Sequence, residues 1–79
     1  MLYVYILESC TFPSRHYTGF TKDLKKRIQK HNNGEVPHTK KYKPWKIITY
    51  TAFESQEKAR SFEKYLKSHS GRAFASKHF

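Results

Sequence analysis

The hydrophobic positions of this chain alternate between a strand period and a helix period, and the switches mark its elements. Leu2-Tyr3-Val4-Tyr5-Ile6-Leu7 is rich in β-branched and aromatic residues and predicts a strand, with Leu2, Val4 and Ile6 on one face and Tyr3, Tyr5 and Leu7 on the other. Cys10 to Arg15, with Pro13 and Ser14, reads as a loop, and His16-Tyr17-Thr18 returns as a short antiparallel partner. Thr21 is then placed to cap a helix, with Asp23 in its first turn and Gly34 as its stop. On a wheel of about 100° per residue, Leu24, Arg27, Ile28 and His31 share one arc, while Lys22, Lys25, Lys26, Gln29 and Lys30 point away. Two apolar anchors thus carry an arginine and a histidine to the edge of the core.

The stretch from Glu35 to Lys43, with Pro37 and the run Lys40-Lys41-Tyr42-Lys43, predicts an exposed loop. Trp45 to Phe53 is the third and most apolar strand. Ser55 suits the N-cap of a second helix with Glu57 in its first turn, and Ala59, Phe62 and Leu66 form its apolar stripe, with Glu63 inside the same arc. Ser68 to Gly71 is expected to break that helix. Arg72 to Phe79 adds a short closing helix whose Phe74 and Phe79 would cover the core.

With 79 residues, the chain is expected to form one domain over residues 1–79, near the lower size limit for a single hydrophobic core. Six Tyr, six Phe and one Trp help, because each aromatic buries a large area. A lone cysteine, Cys10, excludes an intrachain disulfide and a cysteine-rich zinc site. Leu2 to Leu7 is too short for a signal sequence, and no apolar run approaches the roughly 20 residues of a membrane span, so a cytoplasmic setting is the expectation. Sixteen Lys and Arg against six Asp and Glu give a formal charge of +10, which favours a polyanionic partner, most often nucleic acid. An anionic membrane surface would need a broad apolar helix face, and neither helix has one to spare from the core.

The polar residues carried by otherwise apolar faces make a chemical inventory: Tyr5 and Tyr17 on strands, Arg27 and His31 on one helix, Glu63 on another. Each also has a purely structural reading, as sheet packing for a tyrosine or as a snorkelling side chain for the others. Together they supply what phosphodiester hydrolysis requires, namely a base for water, a cation for the transition state and help for the leaving oxygen. Arg27 suits a bidentate phosphate clamp. A tyrosine is a poor base at its usual pKa near 10, but its phenolate becomes more accessible beside a metal and a guanidinium. His31 is a second candidate to take or relay the proton of water. Glu63 is the single credible metal ligand, which suffices for one Mg²⁺ that keeps several waters. Lys22, Lys26, Lys30, Lys40, Lys41 and Lys43 are the candidate phosphate contacts, although a lysine-rich loop is usually just solvated and the functional reading gains weight only from the global charge.

In order and approximate spacing, Tyr3-Val4-Tyr5, Tyr17-Thr18-Gly19, Arg27, His31 and Glu63 resemble the GIY-YIG nuclease superfamily over essentially the whole chain. The stretches Glu63-Lys64-Tyr65-Leu66-Lys67-Ser68 and Ser70-Gly71-Arg72-Ala73-Phe74 look most like its small stand-alone bacterial, excinuclease-like members. The resemblance implies an α+β fold, a small three-stranded antiparallel sheet flanked by helices. It also implies one-metal cleavage of DNA phosphodiesters with Mg²⁺ or Mn²⁺. Tyr5 then matches the proposed general base or its partner, Tyr17 the second signature tyrosine, Arg27 the phosphate-binding arginine, His31 a proton-handling or orienting residue and Glu63 the metal ligand. Tyr3 stands where the first signature has glycine, and no asparagine occurs between Ser70 and Ser76, where some relatives carry one. The resulting expectation is a metal-dependent DNA endonuclease, structure-selective in DNA repair or processing and guided to its substrate by its own surface or a protein partner. A binding module that kept the fold without useful turnover, and an RNA-binding accessory protein, are the alternatives.

Overall fold

The structure, a computed structural model, describes residues 1–79. Its element order is β1 (Leu2–Ser9), β2 (His16–Thr21), α1 (Leu24–Asn32), a single 3₁₀ turn (Lys40–Tyr42), β3 (Trp45–Phe53), α2 (Gln56–Lys67) and α3 (His69–His78). The three strands form one antiparallel sheet in the order β2-β1-β3, so the chain is an α+β protein with β1 at the centre.

The alternation in β1 divides the molecule into two layers. Leu2, Val4 and Ile6 pack with Ala59 and Leu66 of α2, joined by Phe20, Phe53, Phe62 and Ala75. Tyr5 and Leu7 point to the other face and pack with Trp45, Tyr17, Tyr42 and the α1 residues Leu24 and Ile28. A central strand buried on both faces has no solvent side, which is why it reads as an almost unbroken apolar run. The pairing of β1 with β3 slips by one residue between Ile6 and Leu7, leaving Ile48 as a bulge packed against the first layer.

The helix boundaries differ in detail from those the sequence predicts. Asp23, not Thr21, is the N-cap of α1, its carboxylate accepting from the Lys26 amide at 3.0 Å. Thr21 instead closes the preceding turn, its hydroxyl accepting from the Asp23 amide. Gly34 adopts a φ of 76° just past the helix, the left-handed conformation that suits a stop. Ser55 caps α2 through the Lys58 amide, as its position implies. The break after α2 is confined to Ser68, which ends α2 and caps α3 through the Gly71 amide, so Gly71 lies inside α3 rather than in a linker.

Two expectations about burial are overturned. The segment from Glu35 to Lys43 is not wholly exposed, because Val36 and Thr39 are buried beneath the second layer. Phe74 and Phe79 do not cover the core. They remain exposed and pack on each other and on Tyr65 and His78, while the small Ala75 makes the contact with the first layer. The reason is the tight α2–α3 turn. A Cβ at Gly71 would overlap the Tyr65 carbonyl and stand 2.6 Å from the Leu66 Cα, so α3 lies too close to the end of α2 for large side chains to fit between.

Because those neighbours are backbone atoms, Gly71→Ala is expected to cost about 1–3 kcal/mol through overpacking. A lower urea midpoint at unchanged m-value would report that loss, and an unchanged midpoint would show that the turn relaxes freely.

Candidate active site

Tyr5, at the middle of the central strand, is only 1% exposed, yet it carries a hydroxyl that must find partners. Its ring leans across the edge strand at the one residue able to admit it. Gly19 is the direct partner of Tyr5 in the β1–β2 ladder, and a Cβ there would collide with the phenol oxygen and ring. Gly19 is thus needed for the space it leaves.

Around that hydroxyl the structure assembles a line of hydrogen bonds. The Tyr5 oxygen lies 2.9 Å from His31 Nε2 and accepts from Arg27 Nε at 3.4 Å. His31, fully buried rather than at the core's edge, places its Nδ1 2.7 Å from Thr39 Oγ1, and the Thr39 hydroxyl donates to the Val36 carbonyl at 3.3 Å. With the Thr39 proton committed to Val36, we assign the Nδ1–H tautomer to His31. Its Nε2 then accepts the Tyr5 proton.

Tyr17 completes the cluster from β2, with ring centroids 6.4 Å from Tyr5 and 5.1 Å from His31. Burial raises the Tyr5 phenol above its usual range, opposed by its hydrogen bond to Arg27 and that residue's charge, while Tyr17 and Glu63 add to the rise. Hydrogen bonding to Tyr5 in turn holds the Arg27 guanidinium protonated still more firmly. Burial, with the Arg27 charge behind it, lowers His31 to about 4, so the imidazole is neutral at physiological pH.

Four of the five predicted catalytic residues therefore form one cluster on the α1 face of the sheet. Glu63 belongs to α2 on the opposite face and touches none of them. Arg60 stands over the Phe20 ring at 5.7 Å, and Lys67 lines a cleft together with Tyr17 and Thr18. Glu63, between them on the helix, is within Coulombic reach of Tyr5. Its Oε2 accepts from Lys67 Nζ at 3.1 Å. No group of three His, Cys, Asp or Glu side chains converges anywhere on the molecule. A lone half-buried carboxylate oxygen still suits a hard cation that completes its shell with phosphate and water. Lys22 just before α1 and Lys26 and Lys30 on it are exposed, and Lys40, Lys41 and Lys43 are exposed around the 3₁₀ turn.

Thr39 is the site residue that sequence reasoning missed. Nothing in a lysine-rich loop marks a threonine as the anchor of a buried histidine. Its place is fixed by Trp45, whose indole N–H donates to the Thr39 carbonyl at 2.8 Å, and by Asn32, whose side chain brackets the Trp45 backbone at 2.6 and 3.1 Å.

A three-stranded antiparallel sheet between helices thus carries a tyrosine–histidine–arginine cluster packed against an edge-strand glycine. The GIY-YIG catalytic domain matches residues 1–77, and the chain belongs to the GIY-YIG family. It is 44% identical over 68 residues to the UPF0213 protein CPE1444 of Clostridium perfringens, covering 85% of this chain and 71% of that one. It is 39% identical over 66 residues to the UPF0213 protein SpyM50708 of Streptococcus pyogenes, covering 82% and 70%. The solution NMR structure of the UPF0213 protein BH0048 from Bacillus halodurans is similar with a TM-score of 0.58 and 33% identity, over 98% of this chain and 84% of that chain. No helix of the molecule is long and apolar enough to cross a membrane.

Because the folded His31 binds its proton more weakly than a free imidazole, the unfolded chain protonates first as the pH falls. The stability from keeping His31 neutral is therefore complete above about pH 6.5 and is lost between there and about pH 4, by about 3 kcal/mol. Urea unfolding across that range should show a steeper loss in the wild type than in His31→Gln. An NMR titration should place the His31 midpoint near 4.

Proposed function

We propose that this chain is a divalent-metal-dependent endonuclease that hydrolyses DNA phosphodiesters, with Tyr5, Tyr17, Arg27, His31 and Glu63 as its working groups. One observation carries the reading: a buried phenol hydroxyl held between a neutral imidazole nitrogen at 2.9 Å and a guanidinium nitrogen at 3.4 Å. For packing alone, a phenylalanine at this position would avoid desolvating a hydroxyl altogether.

Arg27 reaches from the buried Tyr5 to the half-buried Tyr17, so it can pair with non-bridging phosphate oxygens and orient the scissile group. The attacking water approaches the Tyr5 hydroxyl from the Arg27–Tyr17 side, where those side chains border solvent. Its proton passes to the Tyr5 oxygen as the Tyr5 proton passes to His31 Nε2. This relay avoids a free phenolate, which burial makes costly. Thr39 keeps the other imidazole proton in place throughout. Glu63 would hold the metal ion, whose chemistry is to stabilise negative charge on the departing oxygen. The exposed lysines of α1 and of the 3₁₀ turn supply sequence-independent attraction to the DNA backbone. Selection of branched or damaged DNA, as in repair, belongs to the same reading.

Plasmid nicking in Mg²⁺ tests it. Tyr5→Phe removes the proton acceptor without changing shape, and Glu63→Gln removes the ligand charge. Each should lower the cleavage rate by about a hundredfold or more, while DNA binding stays near the wild-type level. Equal cleavage by wild type and both variants would refute the proposal. Salt-sensitive binding without cleavage in any divalent ion would leave a binding module instead.

A further inference from the structure

On the α2 face of the sheet, bordered by β2, Ile6 and Ile48 and by the end of α2 and α3, lies a cleft of about 760 Å³. Three elements each lend it a cation: Arg15 from the β1–β2 loop, Lys67 from α2 and Arg72 from α3. Its one carboxylate, Glu8, is already engaged by His16 at 3.5 Å and Lys46 at 3.9 Å. The guanidinium of Arg15 sits over the Tyr42 ring, 4.8 Å from its centroid, which limits its freedom before any ligand arrives. Phe79, about half exposed, lies at the wall beside Arg72 with its ring unburied by the core. β2 pairs only with β1, so its outward backbone groups have no partner strand.

Cations from separate elements and an exposed aromatic ring are the features with which proteins hold unpaired nucleic acid. The volume matches pockets for small ligands, enough for roughly one or two nucleotides and far too small for a duplex. Tyr17 lines this cleft and its ring also lies 5.1 Å from that of His31, so the cleft and the cluster share a residue at the edge of the sheet.

We propose that the cleft holds a single-stranded DNA segment next to the scissile phosphate, with Arg15, Lys67 and Arg72 on its phosphates and Phe79 against a base. The protein then favours substrates whose strand leaves the duplex close to the cut. The inference rests on the nuclease reading for the position of the scissile phosphate, whereas the cleft's affinity for single strands does not depend on turnover.

The test is binding in EDTA, measured by fluorescence anisotropy with a blunt duplex and the same duplex carrying a short thymidine tail. Wild type is expected to bind the tailed duplex about tenfold more tightly. The double variant Arg15→Gln/Arg72→Gln should lose that preference, with its salt slope on the tail reduced by about 1.4 and blunt-duplex affinity within about twofold. In the wild type, a thymidine hexamer should shift the amide NMR signals of Arg15, Thr18, Arg72 and Phe79 more than those of the α1 lysines. An absent tail preference, its survival in the double variant, or shifts confined to α1 would each overturn the proposal. Cleavage in Mg²⁺ is scored separately, so tail binding in the cleft by a protein that never cuts would retain this site and reject the nuclease reading.

Discussion

A hydroxyl in the middle of a doubly buried strand sets the terms for this small fold. Tyr5 has to lie flat across a neighbouring strand, which requires a residue without a side chain at Gly19, and its oxygen has to be satisfied where water is scarce. Leaving such a group unpaired costs on the order of 1–3 kcal/mol, a large fraction of the stability available to so short a chain. The solution draws in His31 from α1, which in turn needs Thr39 from the loop, which in turn is held by Trp45 at the start of β3. Four segments distant in sequence are thereby fixed to one another, and no buried side-chain polar atom lacks a partner. The loop between α1 and β3, rich in lysine outside, is anchored inside by this line, by the Asn32 bracket on Trp45 and by the Ser9 hydroxyl, which donates to the Tyr42 carbonyl at 2.7 Å.

The two faces of the sheet divide the labour. On the α2 face, Leu2, Val4, Ile6, Ala59 and Leu66 form an apolar core that needs no polar specification. On the α1 face the core contains a phenol, an imidazole and a threonine hydroxyl, and its geometry is dictated by hydrogen-bond direction as well as volume. Apolar packing tolerates substitution of similar volume, whereas a hydrogen-bonded line fails when any member is lost. The stability of the apolar layer allows the other to carry groups that are costly to bury.

The strands were legible because each face of β1 has its own core, which makes the alternation of Leu2, Val4 and Ile6 against Tyr3, Tyr5 and Leu7 informative. The limits of β3 and the cap of α2 were equally plain. Polar strand ends were not: Glu8 and Ser9 extend β1, and Gly19 to Thr21 extend β2, through backbone pairing that side-chain patterns do not report. The spacing of Leu24, Arg27, Ile28 and His31 correctly gave one helix face, and the structure brings Arg27 and His31 to Tyr5 as that face implies. The same wheel could not say on which side of the sheet Glu63 would lie. A helical arc fixes which residues travel together, but the side they reach depends on the chain's path after β3. Thr39 was illegible for a different reason, since its role comes from a tertiary contact with no local signature.

The basicity of His31 is the least intuitive feature of the cluster. A strong base beside Tyr5 would strip the phenol in the resting state and place an ion pair in a poorly solvated layer, where the cost of burying charge is high. Burial and Arg27 instead hold the imidazole near 4, and burial raises the phenol, so the proton stays on Tyr5 until something changes the field. In the proposed reaction that change is the phosphate itself. A phosphate paired with Arg27 offsets the positive charge that disfavours imidazolium, and the imidazole becomes a better acceptor only when substrate is in place. The same logic applies to Glu63, whose present partner is the exposed ammonium of Lys67. In the proposed reaction a divalent cation would compete with that ammonium, and a phosphate in the neighbouring cleft would give Lys67 somewhere else to go. Substrate binding would thus ready both the proton acceptor and the carboxylate, through charge alone and without any movement of the backbone.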